Sequence, residues 1–139
     1  MKVLYFHQHF STPLGASGTR SYEMALRLIL RGHKVTMVCG SYDGGVTGLS
    51  NPFKKGLRKG FINGIKVIEF ELPYSNNDKM IKRSYTFLKF AFRTIKIVFS
   101  EKYDLILASS TPLTIGIPAL TAYWLKRKPF VFEVRDLWP

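Results

Sequence analysis

Apolar positions along this chain switch between a period of two and a helical period, and each switch marks a new element. Residues 2–6 (KVLYF) form a short apolar strand, followed by a loop over residues 7–18 that carries Pro13, Gly15 and Gly18. From Ser21 onward Tyr22, Met24, Ala25, Leu28 and Ile29 recur at helical spacing, and Gly32 stands where a helix end favours a left-handed residue. Residues 34–39 (KVTMVC) resume strand character, and residues 65–72 (IKVIEFEL) alternate at period two until Pro73 stops them. Residues 76–78 offer a helix cap, and residues 79–100 predict one long helix. Residues 104–108 (DLILA) give another buried strand, with Ser109, Ser110, Thr111 and Pro112 as its terminal loop. Residues 115–125 predict a helix, residues 126–129 a turn, and residues 129–134 (PFVFEV) the last strand. Alternation of this kind predicts an α/β fold, with a mainly parallel sheet covered on both faces.

Between Gly40 and Gly64 runs a long polar connection rich in Gly, Ser and Asn, with Lys54, Lys55, Arg58 and Lys59 inside it. A connection of that length in a compact domain is usually functional or mobile. In open parallel sheets ligands bind at the carboxyl edge of the strands, which marks the loop over residues 7–18 as the ligand edge.

Charge narrows the partners. Across 139 residues there are 21 Lys and Arg against 9 Asp and Glu, a formal net charge of +12. That excess favours nucleic acid, acidic membrane or phosphorylated small molecules. The single cysteine, Cys39, excludes an internal disulfide framework and, inside an apolar strand, is expected to be a buried structural thiol. No run is long enough to span a membrane, and the first residues do not resemble a signal peptide. A cytoplasmic protein with at most peripheral membrane contact is therefore expected.

The long helix admits two readings. On a helical wheel Lys79, Lys82, Lys89, Arg93 and Lys96 fall on one side, and Met80, Ile81, Leu88, Ala91, Ile95 and Phe99 on the other. The first reading is a core-facing stripe with a solvated basic back. The second starts from Phe90 and Ile97, which land amid the basic side. Apolar groups ringed by Lys82, Lys89, Arg93 and Lys96 suit an interfacial helix on an anionic membrane.

Candidate chemistry gathers at the strand ends. Gly15, Ser17, Gly18, Thr19 and Arg20 precede the first helix, where small residues admit a phosphate or sugar and Arg20 supplies charge; the alternative is a loop that needs positive φ. The glycines do not form the GxGxxG fingerprint, no acidic residue closes the second strand, and no Gly-Lys-Ser/Thr occurs, which disfavours a nicotinamide dehydrogenase and a Walker-type phosphate loop. His7 and His9 share one face of an extended segment, either as substrate hydrogen-bonders or as structural histidines, and no ligand cluster surrounds them to make a metal site. Ser109, Ser110 and Thr111 lack a nucleophile elbow, so polyol binding or helix capping is expected of them. Asp136 is the better-placed carboxylate at the last strand's end, unless it is tied to Arg135 or Arg20. Aromatics interleaved with basic residues on an open sheet face would mark a nucleic-acid module, and here the aromatics fall mostly in expected core positions.

The two ends of the chain, VLYFHQHF with GASGTRSYEMALRL and RGHKVTMVCG, then VFEVRDLWP, resemble the N-terminal domain of family 4 glycosyltransferases. These are retaining, two-domain GT-B enzymes, and the likeness is to bacterial sugar transferases of O-antigen and capsule assembly, including the N-acetyl-fucosamine transferase type. It runs through the whole chain in order, though residues 43–102 match only in architecture. The resemblance implies a Rossmann-like three-layer domain, here residues 1–139, on the acceptor side of the intact enzyme. It implies that Gly15 to Thr19 approach the donor diphosphate, that Arg135 and Asp136 line the acceptor side, and that His7 and His9 face the acceptor from the first strand. Many members have a His-Asp pair where this chain has Arg135-Asp136, which shifts the tentative catalytic role to Asp136. The family's second domain, with its Glu-x7-Glu motif and basic pair, is matched nowhere in this sequence, so the chain alone is expected to be inactive. Nucleotide sugar, a lipid-linked or glycan acceptor and an anionic membrane surface are the implied partners. No cofactor, metal or nucleic acid is implied.

Overall fold

The computed structural model describes residues 1–135. Strand β1 (Lys2–Phe6) leads to helix α1 (Arg20–Leu30) and strand β2 (Lys34–Gly40). A hairpin of β3 (Leu57–Ile62) and β4 (Ile65–Phe70) follows, then the long helix α2 (Met80–Ser100) and β5 (Leu105–Ser109). A 3-10 turn (Leu113–Ile115), helix α3 (Gly116–Lys126) and β6 (Phe130–Glu133) complete the order.

The six strands form one sheet in the order β3-β4-β2-β1-β5-β6. All neighbouring pairs run parallel except β3 with β4, so the fold is the expected Rossmann-like α/β sandwich with one antiparallel edge. The β3 edge was not expected. Its sequence, LRKGFI, has cations and a glycine where a strand pattern needs alternation, and only pairing to β4 orders it. Asn63 and Gly64 make the turn, both at positive φ.

Strand alternation divides the core in two. Val3, Tyr5, Val35, Met37, Cys39, Ile65 and Val67 face the layer containing α1. Leu4, Phe6, Val38, Ile68, Phe70 and Ile106 face α2 and α3. Gly32 ends the first helical unit at φ +84°, as expected. Cys39 is fully buried, and that burial pushes its thiol well up, consistent with a structural role. The expected cap at residues 76–78 does not form: Lys79 holds the N-cap position without a side-chain bond. Asp78 instead accepts from the Ser75 backbone N–H and pairs with Lys82.

Helix α2 corrects the wheel. Phe90 and Ile97, expected on the membrane side, are buried in the core, while Met80, Ile81, Leu88 and Phe99, expected inside, are exposed. The inward face is Thr86, Phe90, Ala91, Thr94, Ile97 and Val98. Two threonines disguised it. Thr86 and Thr94 donate their hydroxyls to the carbonyls of Lys82 and Phe90, so each enters the core already satisfied.

Candidate functional site

Sheet order locates the site before any side chain is considered. From β1 the chain first builds outward through β2 and β4, then returns to place β5 on the other side of β1. Loops leaving β1 and β5 therefore diverge, opening a crevice at the carboxyl edge. His7, His9, Ser17, Gly18, Thr111 and Arg135 line a cavity of about 290 Å³ there. That is near the lower limit for small-molecule pockets, about 300 Å³, and suits one sugar ring or phosphate group.

The two histidines have different fates. Buried His7 bonds Ser21 Oγ through Nδ1 at 2.7 Å and meets Arg135 Nη1 through Nε2 at 2.9 Å. A guanidinium can only donate, so Nε2 accepts and the ring proton lies on Nδ1, pointing at Ser21. Burial, reinforced by Arg135 and His9, lowers His7 to about 3. Its lone pair is occupied by Arg135, so His7 positions that guanidinium instead of touching a ligand. His9 is lowered to about 4 by burial and by Arg83 and Arg135. Its Nε2 is buried without a protein partner among the described residues. Its ring packs against Tyr42, Tyr74 and Phe87 at centroid distances of 5.1, 4.8 and 6.1 Å. A neutral imidazole so far below neutral pH is a poor general base but a well-held hydrogen-bonding group.

The glycine loop also divides. A Cβ on Gly15 would lie 2.2 Å from Ser11 Oγ and 2.9 Å from Gly44 O. Gly15 therefore permits the loop to pack on the β2–β3 connection, where Thr12 and Ala16 donate to the carbonyls of Val46 and Gly44. That corrects the positive-φ reading of the loop, since neither Gly15 nor Gly18 has positive φ. Gly18 has no atom within 4 Å of its would-be Cβ and leaves the backbone open at the cavity. Ser17 is hydrogen-bonded to the Tyr42 hydroxyl, which also donates to His9 O at 3.0 Å. Thr19 is the N-cap residue of α1 and forms no side-chain cap bond.

The remaining candidates form a polar floor. Arg20 pairs with Glu133 at 2.5 Å, so its charge is compensated. Ser109 donates to the same carboxylate, and the Tyr5 phenol beside it is pushed up by burial. Ser110 accepts from the Arg135 N–H at 3.0 Å. Thr111 lines the cavity, following the cis Ser110–Thr111 peptide. Asp136 lies outside the described residues. Among the described residues no three His, Cys, Asp or Glu side chains gather to hold a metal ion.

Tyr42, Tyr74, Phe87 and Arg83 were missed. Tyr42 and Tyr74 lie within four residues of the ends of β2 and β4, so the edge rule applied to every parallel strand would have found both. Phe87 and Arg83 lie on α2, and the misplaced wheel hid them.

No family model and no curated protein matches this chain. Solved structures do. The C-terminal domain of a hydrogenase from Pyrococcus furiosus superposes with TM-score 0.64 at 14% identity, over 96% of this chain and 90% of that one. A second structure of that domain gives 0.63 at 12% identity, over 95% and 90%. The catalytic domain of starch synthase IV from Arabidopsis thaliana, bound to ADP and acarbose, gives 0.63 at 15% identity, over 94% of this chain and 33% of that one. At such identities the likeness concerns the fold, one that serves both a hydrogenase domain and a glycosyltransferase.

Proposed function

We propose that this chain is the acceptor-side Rossmann-like domain of a glycosyltransferase acting in bacterial cell-surface polysaccharide assembly. The intact enzyme moves a sugar from a nucleotide-sugar donor to a lipid-linked or glycan acceptor. The observation that carries this reading is the crevice itself: Arg135 held by His7, with the Nε2 of His9, unpaired among the described residues, and the open backbone of Gly18 around it. A fixed guanidinium suits a phosphate, and a neutral imidazole with nearby hydroxyls suits a polyol. The starch synthase fold supports the reading, since that protein was captured with ADP and acarbose.

The division of labour follows from electrostatics. Expulsion of a nucleoside diphosphate requires concentrated positive charge at the leaving group. Here Arg20 is already neutralised by Glu133 and Arg135 is tied to His7. Leaving-group stabilisation and most of the donor's binding therefore belong to a complementary domain, while this chain contacts only the diphosphate and alone turns nothing over.

NMR titration of the labelled chain with UDP-, GDP- and ADP-sugars, inorganic diphosphate and NAD tests the proposal. Saturable shifts at Gly18, Thr19 and His9 with a diphosphate sugar, weakened about ten- to a hundredfold by Arg135→Ala, are expected. Shifts with NAD and none with any diphosphate sugar would overturn it, and so would sugar transfer by the chain alone.

A further inference from the structure

The outward face of α2 carries an apolar stripe that the fold leaves uncovered. Ile81, Tyr85, Leu88, Phe92 and Phe99 are exposed, with Phe92 at 61% and Ile81 at 86%. Ile95, half-buried, completes a spacing of four, three, four, three and four along the helix. Beside the stripe Lys82, Lys89 and Lys96 repeat at seven-residue intervals. Tyr85, Leu88, Phe92 and the cations Lys89, Arg93 and Lys96 enclose a shallow apolar groove. Arg93 and Lys96 also line an adjoining hollow with Lys55 and Gly56. Arg93 is fixed at that boundary, donating to Gly56 O at 3.2 Å with its guanidinium 5.6 Å above Phe70.

We infer that this face docks on an anionic phospholipid membrane, with the Tyr85–Leu88–Phe92 groove entering the acyl boundary and Lys55, Lys89, Arg93 and Lys96 meeting headgroup phosphates. This rests on α2 and the adjoining Lys55 and does not depend on the transferase reading.

Charge selects the occupant. No residue from Lys79 to Ser100 is acidic, and the flanking carboxylates, Asp78 and Glu101, are already paired with Lys82 and Lys66. A stripe of this spacing would also suit a helix of a second copy. Its flanking line, however, is lysine throughout, so antiparallel copies would set Lys against Lys. Parallel copies would set those lysines opposite Ser84, Ala91 and Val98, with no carboxylate to pair. A lipid surface supplies the missing negative charge, and aromatic side chains suit the headgroup level. No helix among the described residues is long and apolar enough to cross a membrane, so contact through this face is peripheral.

Vesicle flotation of the full chain tests this. Vesicles of phosphatidylglycerol with phosphatidylcholine should retain the protein at least tenfold better than phosphatidylcholine alone, and added salt should release it. Lys89→Glu with Lys96→Glu should weaken retention about thirtyfold or more, since each cation lost contributes about tenfold or less and each carboxylate gained repels the surface. Tyr85→Ser with Phe92→Ser should abolish it while leaving circular dichroism and the unfolding midpoint unchanged. Phe61→Ser, at an exposed phenylalanine of β3, should leave retention intact. Glycerol phosphate at millimolar concentration should not compete. Equal binding to neutral vesicles, unchanged binding by the double serine variant, or release by glycerol phosphate would each overturn the inference. Lipid-free, concentration-dependent dimers that Phe92→Ser dissolves would assign the face to a second copy instead.

Discussion

The crevice at the β1/β5 edge and the outer face of α2 are both basic, yet they hold their charge in opposite ways. At the strand ends of the crevice two cations are tied: Arg135 to His7, and Arg20 to Glu133. On α2, Lys89 and Lys96 stand exposed among exposed aromatics, while Arg93 is anchored to Gly56 and Lys82 to Asp78. A tied charge has fixed geometry and acts through orientation, so single substitutions and protonation should disrupt it. Exposed charges act through their sum, so their effects should be roughly additive and should fade with salt.

The largest expected effect separates the two sides of α2. Phe90→Ala should destabilise the fold by about 3–5 kcal/mol, the cost of emptying a fully packed aromatic site. Phe92→Ser, two residues on but exposed, should stay within about 0.5 kcal/mol. Urea melts of the two variants check the difference, and similar losses would mean that α2 is set differently on the sheet.

Next come the crevice side chains. Arg135→Ala should weaken diphosphate-sugar binding about ten- to a hundredfold, the scale of a charge-assisted hydrogen bond. His7→Ala should cost about tenfold by letting the guanidinium wander, although His7 itself touches no ligand. Calorimetric titration distinguishes the two. Arg135→Lys should not restore affinity, because a lysine cannot span His7 and a phosphate with one rigid fork.

The smallest effect is the pH response. His7 and His9 lie at about 3 and about 4 in the folded chain, below the ordinary 6.5. The folded state thus favours their neutral forms, a contribution present in full above pH 6.5 and lost as pH falls towards those lower values. Thermal melts across that window should show stability declining with acid, more gently in His7→Gln. A flat wild-type profile would place His7 in a more solvated setting. The α2 face has no titrating group in that range, so its lipid binding should not follow the same curve.

Five of the six strands and all three helices were legible, because each buries an apolar pattern of its own. β3 was hidden because its pattern is partly polar and its order comes from β4. The candidate site was legible as an edge, through His7, His9, Gly18, Thr111 and Arg135, though not as a set of bonds. No spacing rule announces that Gly15 packs on Gly44, or that Tyr42 ties Ser17 to His9.

The sequence by itself determined which segments are strands and helices, their alternation, and hence the edge where loops collect. Those properties depend on neighbours within a few positions, where periodicity is informative. Tertiary structure decided the rotation of α2, because that helix is apolar on several sides and only packing against the sheet chooses among them. It also decided that His7 and Arg135, 128 residues apart, form one unit. Parallel strands brought together from opposite ends of a chain make contacts that no local pattern encodes.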